Sequence, residues 1–249
     1  MTIIICLEAK DCVVMAADSL TSTRGVVKSC QTSKLHRISN GAVVAACGLA
    51  RVLNRPWSEI LEQFSAPTDS SPTQLASELK TFLDQEISRV ARNNFGACSG
   101  GNTFIVVVDD PTGAHPVILS IERDGDDRKF KSPNTLNPAA GVRDHISWWG
   151  DTPKIEEYLT TRRATYQPEM EEAVAVAFAQ ETIRGAIAAS ASAGQTSIGG
   201  EFISVGVVRS TAGGEVTRNP TNMPCAISVP TPIFPTLDAL ELPPESTRK

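Results

Sequence analysis

Apolar runs come first and mark out the strands. Ile3 to Leu7 is a short β-branched run and predicts a buried strand. Ala9-Lys10-Asp11 reads as a turn, and Cys12 to Asp18 as the strand that returns along it. The polar Ser19–Arg24 stretch predicts a loop. Short strands follow at Gly25-Val26-Val27 and Leu35 to Ile38. Asn40-Gly41 suits the positive φ angles of a tight hairpin turn, and Ala42 to Cys47 is the strand after it, closed by Gly48.

The pattern then changes period. Leu49 to Phe64 predicts a helix, with a break or fresh start near Arg55 because Pro56 falls inside it. Ser71, Pro72 and Gln74 form a helix-start signature. Leu75, Leu79, Phe82, Leu83, Ile87 and Val90 then recur at helical spacing, up to Asn93-Asn94-Phe95-Gly96. Thr103–Val108 and Pro116–Ile121 predict a second strand pair. The charged run Glu122 to Lys131 predicts a solvated hairpin tip. His145–Trp149 predicts one more strand, and Lys154–Arg163 a short helix. Pro168–Ala191 predicts a long helix with Met170, Val174, Phe178, Ile183 and Ile187 available for burial. Phe202–Val208 and Glu215–Thr217 predict a last hairpin. The order of strands, two helices, strands, two helices, strands implies an antiparallel-rich α+β arrangement, two sheets between two helix layers.

Residues 2–218 therefore read as one domain, large enough for a sizeable core. Residues 219–249 carry Pro220, Pro224, Pro230, Pro232, Pro235, Pro243 and Pro244 and read as a Pro-rich extension. A net charge of −5 argues against a nucleic-acid partner. The N-terminus has no signal-peptide pattern, and no stretch has the ~20 apolar residues of a membrane span. The six cysteines form no Cys-x-x-Cys pair, and the three histidines lie far apart. These features predict buried reduced thiols in a cytoplasmic protein, with no metal site and no cofactor.

Candidate chemistry sits at the strand ends. Thr2, Asp18 and Lys34 are spaced sixteen residues apart. A threonine hydroxyl needs a base, and an α-amine, with a reference pKa of roughly 7.7–8.0, serves when it sits on the same residue. Removal of Met1 would free that amine on Thr2. A lysine beside the hydroxyl favours its alkoxide, an aspartate orients the lysine, and a backbone N–H at Gly48 is placed for a developing oxyanion. Each of the three polar residues alone is more often a surface or turn residue.

Four blocks occur together: Thr2-Ile3-Ile4, Val13 to Ser19, Ser33 to Ile38, and Cys47-Gly48. Here the chain resembles the proteasome β-type family of N-terminal nucleophile (Ntn) hydrolases, most specifically over residues 2–50. The resemblance implies a four-layer αββα sandwich, threonine peptidase chemistry on peptides or unfolded proteins, and a homo-oligomeric ring, with an ATPase regulator as a possible partner. It implies Thr2 as nucleophile and base, Asp18 and Lys34 as supports, and Gly48 as oxyanion donor. Ser22 and Ala50 would pair with substrate backbone. Ala46 would sit in the specificity pocket, where its small size hints at large apolar substrate side chains. A single Met before Thr2 looks like the simpler bacterial relatives without a long propeptide.

Two departures stand against full activity. Gln195 occupies the position of the family's Asp, and Ile198 that of its Ser, before Gly199-Gly200. Ser197 substitutes only by a shift of one position. A further supporting serine, expected near Trp149-Gly150-Asp151-Thr152, has no firm counterpart. A non-catalytic scaffold subunit and a small-molecule amidase are the competing expectations.

Overall fold

The computed structural model describes residues 2–23, 26–38, 41–49, 51–52, 55–67, 70–91, 101–111, 115–125, 127–137, 145–150, 153, 155–195, 198–210 and 213–220. The N-terminal hairpin pairs β1 (Ile3–Glu8) with β2 (Cys12–Asp18). A small ribbon follows, β3 (Thr21–Thr23) with β4 (Val26–Ser29). Next come β5 (Leu35–Arg37), β6 (Val43–Gly48), and the short pair β7 (Arg51–Val52) and β8 (Arg55–Pro56). Helices α1 (Trp57–Leu61) and α2 (Pro72–Ala91) precede β9 (Asn102–Val108), β10 (Val117–Arg123), β11 (Asn134–Thr135) and β12 (Ile146–Gly150). The described part ends with α3 (Glu156–Arg163), α4 (Glu172–Ser192), β13 (Phe202–Arg209) and β14 (Gly213–Pro220).

Two five-stranded sheets result, ordered β12-β1-β2-β13-β14 and β11-β10-β9-β6-β5. Every pairing within them is antiparallel. Three apolar clusters define four layers. Ile4, Cys6, Val13, Met15, Ile105 and Val107 pack between the sheets. Ile3, Ile5 and Leu7 point the other way, onto Phe178 and Ile183 of α4. Val44, Phe104 and Val106 face Leu75, Leu79 and Leu83 of α2. The unbroken apolar run of β1 has this cause, since a strand covered on both faces needs apolar residues at every position. The α+β class and the two-sheet, two-helix-layer order are thus as the pattern implied.

The helix start at Ser71 is half a capping box. Ser71 Oγ accepts the Gln74 N–H at 3.3 Å, while the Gln74 side chain donates to Glu78 instead of reaching back.

Five local expectations are corrected. The helix expected over Leu49–Phe64 makes its fresh start as the proline implied, at Trp57, and runs to Leu61, but the described residues before it are not helical. Pro56 is extended at ψ 155° and lacks an N–H, so with Arg55 it forms β8, paired with β7. The Ser19–Arg24 loop contains strand β3. Val174 is 55% exposed, because α4 turns Ala175, Phe178 and Ala179 to the core. Arg123, inside the charged run, is buried. It donates to the Asp127 carbonyl at 2.8 Å and to Asn102 at 3.1 Å, and lies over the Phe130 ring. Finally, Cys6, Cys12 and Cys47 are free thiols, but Cys30 is disulfide-bonded, with its partner outside the described residues. The Asn40-Gly41 turn is described only at Gly41, and residues 221–249 lie outside the described part.

Candidate active site

The first strand pair sets the site. Ile4 pairs with Ala17, so the start of β1 meets the end of β2, and Thr2 stands beside Asp18. All three candidate polar residues are buried: Thr2 is 7% exposed, Lys34 5% and Asp18 0%. Asp18 is the hub. Its Oδ1 accepts the Ile3 N–H at 2.9 Å and the Lys34 Nζ at 2.5 Å. Its Oδ2 accepts the Gly199 N–H at 2.9 Å. Three donors on one carboxylate, one of them an ammonium, make the buried charge tolerable. The amide that follows Thr2 and the Lys34 ammonium therefore share one oxygen.

Electrostatics at Lys34 are a contest. Burial pulls the ammonium pKa below the ordinary lysine value, and Asp18 opposes that pull by charge and hydrogen bond. Cys47 lies in the same field. Burial pushes its thiol up, while the charge of Lys34 works in the other direction. Cys47 arrives there because the Ala46 N–H donates to the Lys34 carbonyl at 2.9 Å, which seats the end of β6 against the lysine.

Backbone approach explains two glycines. Gly48 has φ +102°, and a Cβ there would stand 2.1 Å from the Gly101 carbonyl oxygen. Gly150, at φ +124°, pairs with Ile3, and a Cβ on it would stand 1.7 Å from the Thr2 carbonyl oxygen. The end of β12 thus closes directly on the Thr2 backbone.

Behind the hub, further hydrogen bonds hold the loop that carries Gly199. Ser19 is fully buried. Its N–H and that of Leu20 both donate to the Gly199 carbonyl, at 3.0 and 2.8 Å. Its Oγ donates to the Cys30 carbonyl at 2.7 Å and accepts the Phe202 N–H at 3.1 Å. The loop before β13 is thereby fixed on both sides of Asp18. Sequence reasoning did not single out Ser19, Gly199 or Cys47 as site residues. Adjacency to Asp18, to Gly200 and to Gly48 was the available signal.

Thr2, Asp18 and Lys34 are brought together, and Gly48 ends the strand that carries Ala46 and Cys47. Ala46 packs on the helix side of its sheet, against the α1–α2 core. Ser22 lies on β3, its side chain outside the described residues, as are Ala50 and Ser197. Ile198 is 5% exposed and packs in the core beside α4. Gln195 has a buried Oε1 with no hydrogen-bond partner among the described residues. Among those residues no cluster of three metal-ligating side chains occurs, and no helix is long and apolar enough to cross a membrane.

Comparison with known proteins bears on the fold and the family. The family described as Proteasome subunit matches residues 2–125. A solved structure of a Gly-1 mutant of Anbu from Hyphomicrobium sp. strain MC1 superposes with a TM-score of 0.55 at 14% identity, covering 89% of this chain and 88% of that one. No curated protein sequence matches. The fold is the four-layer Ntn-hydrolase sandwich, and the chain, through its matched residues 2–125, belongs to the proteasome subunit family.

Proposed function

We propose that the chain is a threonine-type peptidase whose nucleophile is Thr2 after removal of Met1. The observation that carries this reading is the shared oxygen of Asp18, bonded both to the amide following Thr2 and to Lys34. The freed α-amine of Thr2 takes the proton from Oγ as the alkoxide attacks the scissile carbonyl. The Lys34 ammonium lowers the cost of the alkoxide, and Asp18 keeps that ammonium charged and oriented. The Gly48 N–H stabilises the tetrahedral oxyanion. Collapse passes the proton to the leaving amine and leaves an ester on Oγ. Water then adds to the ester with the same amine as base, and release of the acid restores Thr2.

Substrates on this reading are peptides or unfolded protein segments. Ser22 and Ala50 pair with their backbone, Ala46 borders the specificity pocket, and Ser197 stands in as the supporting serine. The site works inside a homo-oligomeric ring in the cytoplasm, with an ATPase as regulator. Hydrolysis of fluorogenic peptides by the purified full chain tests the reading. Thr2→Ala should abolish turnover and Thr2→Ser should retain part of it. Turnover that survives Thr2→Ala would refute it.

A second reading, a non-catalytic scaffold subunit, draws on Ile198 and Gln195. The first is packed in the core at the family's serine position, and the second is an uncharged amide at the family's aspartate position. On that reading the full chain assembles but leaves every peptide intact.

A further inference from the structure

Among the described residues, β5 is the last strand of its sheet and pairs only with β6. Lys34 and Ile38 bond to Ala46 and Ala42 of the β6 side, at 2.9 Å each. Antiparallel pairing alternates, so the backbone groups of Leu35 and Arg37, between them, face the other way. The N–H groups of both residues have no hydrogen-bond partner among the described residues, while the outward Leu35 carbonyl accepts the Ser33 hydroxyl at 3.0 Å.

A groove of about 580 Å³ runs along this edge, between α1 and β14. Its apolar walls are Leu61 and Val216. Its charged groups are Arg37, Arg218 and Glu62. Neither arginine has an ion-pair partner among the described residues, and Arg218 rests on the Phe202 ring at 5.3 Å. His36, also in the wall, is held neutral near pH 7 by its burial and by the charge of Arg218. Two guanidiniums face one carboxylate, so the groove lacks one negative charge.

We propose that this edge docks an extended polypeptide segment bearing one acidic side chain. The segment adds to the sheet beyond β5, bonding to the outward N–H groups of Leu35 and Arg37. Its carboxylate meets Arg37 and Arg218, and an apolar residue covers the half-buried Val216. Glu62 disfavours a second acid. The groove starts at Ser33, beside Lys34, but holds none of Thr2, Asp18 or Gly48, so the proposal stands apart from the peptidase reading.

Fluorescence anisotropy on the full chain tests it, with a labelled seven-residue peptide of alternating valine and threonine around one central glutamate. Three controls are needed: the lysine counterpart, the same peptide N-methylated at alternate amides, and an Arg37→Glu/Arg218→Glu variant whose fold is checked by circular dichroism. The glutamate peptide should bind at least tenfold tighter than the other two, and the double variant should reverse the charge preference. Equal binding of the glutamate and lysine peptides overturns the proposal, as does binding indifferent to N-methylation. Loss of binding in Thr2→Ala also overturns it, because the peptide would then sit in the catalytic cleft. Binding that falls as protein concentration rises overturns it in favour of a second copy in the groove.

Discussion

Asp18 carries more of the site than its own charge suggests. It receives Lys34 and two backbone N–H groups in a fully buried position. Asp18→Ala would strand all three donors. The expected loss is about 3–5 kcal/mol in urea denaturation, the range for breaking a buried ion pair. Lys34→Met should cost less, roughly 1–3 kcal/mol, since both backbone donors still satisfy the carboxylate. Equal losses would mean that the backbone bonds contribute little. His36 makes the second residue-scale prediction. Burial first, then Arg218, lowers its pKa to about 4. The unfolded chain binds the proton first, at about pH 6.5, so stability falls as pH drops from there to about 4 and then levels. The wild type should lose up to about 3 kcal/mol more than His36→Phe over that window, read from denaturation midpoints at each pH. Of these residues, Asp18 and Lys34 were legible in the sequence because a family block surrounds each. Ser19 closes the same block as Asp18, but nothing in the sequence showed that its hydroxyl would bridge the Cys30 carbonyl and the Phe202 N–H.

At the scale of elements, the strands of the two large sheets were legible and the short pieces were not. Runs such as Ile3–Leu7 declare themselves, since burial on both faces demands continuous apolar residues. The β7–β8 pair has no such signature. It exists because Pro56 forbids the helix that the surrounding leucines and isoleucine suggest. Arg123 was misread for a related reason: charge pattern reports solvation only when no buried acceptor waits, and the Asn102 side chain and the Asp127 carbonyl supply two. The contact of β12 with β1 yields a further prediction. Gly150→Ala would drive a Cβ into the Thr2 carbonyl, and its φ of +124° is unfavourable to any side chain. Peptidase activity should fall by at least a hundredfold while far-ultraviolet circular dichroism stays native, as expected when catalytic geometry shifts by about an ångström. Activity within a few-fold of wild type would show that β12 does not set the position of Thr2.

For the whole molecule, the sandwich serves to bring distant chain segments to one end. Thr2 starts the first strand, Lys34 precedes β5, Gly48 ends β6, and Gly199 enters from the loop after α4. Segregation of strands and helices announced the layers, but not which loops would meet; only the four-block resemblance linked residues far apart in sequence. Gln195 and Ile198 are where family pattern and this chain part, so the central question is whether the assembled site reacts. Intact-mass spectrometry of the full chain after treatment with an epoxyketone, which bonds to an N-terminal threonine through both its amine and its hydroxyl, answers it most directly. The expected result is a chain lighter by one methionine residue and heavier by one inhibitor, with the adduct mapped to Thr2 and absent from Thr2→Ala. A chain that retains Met1, or that sheds it and stays unlabelled, would contradict the assignment of Thr2 as nucleophile.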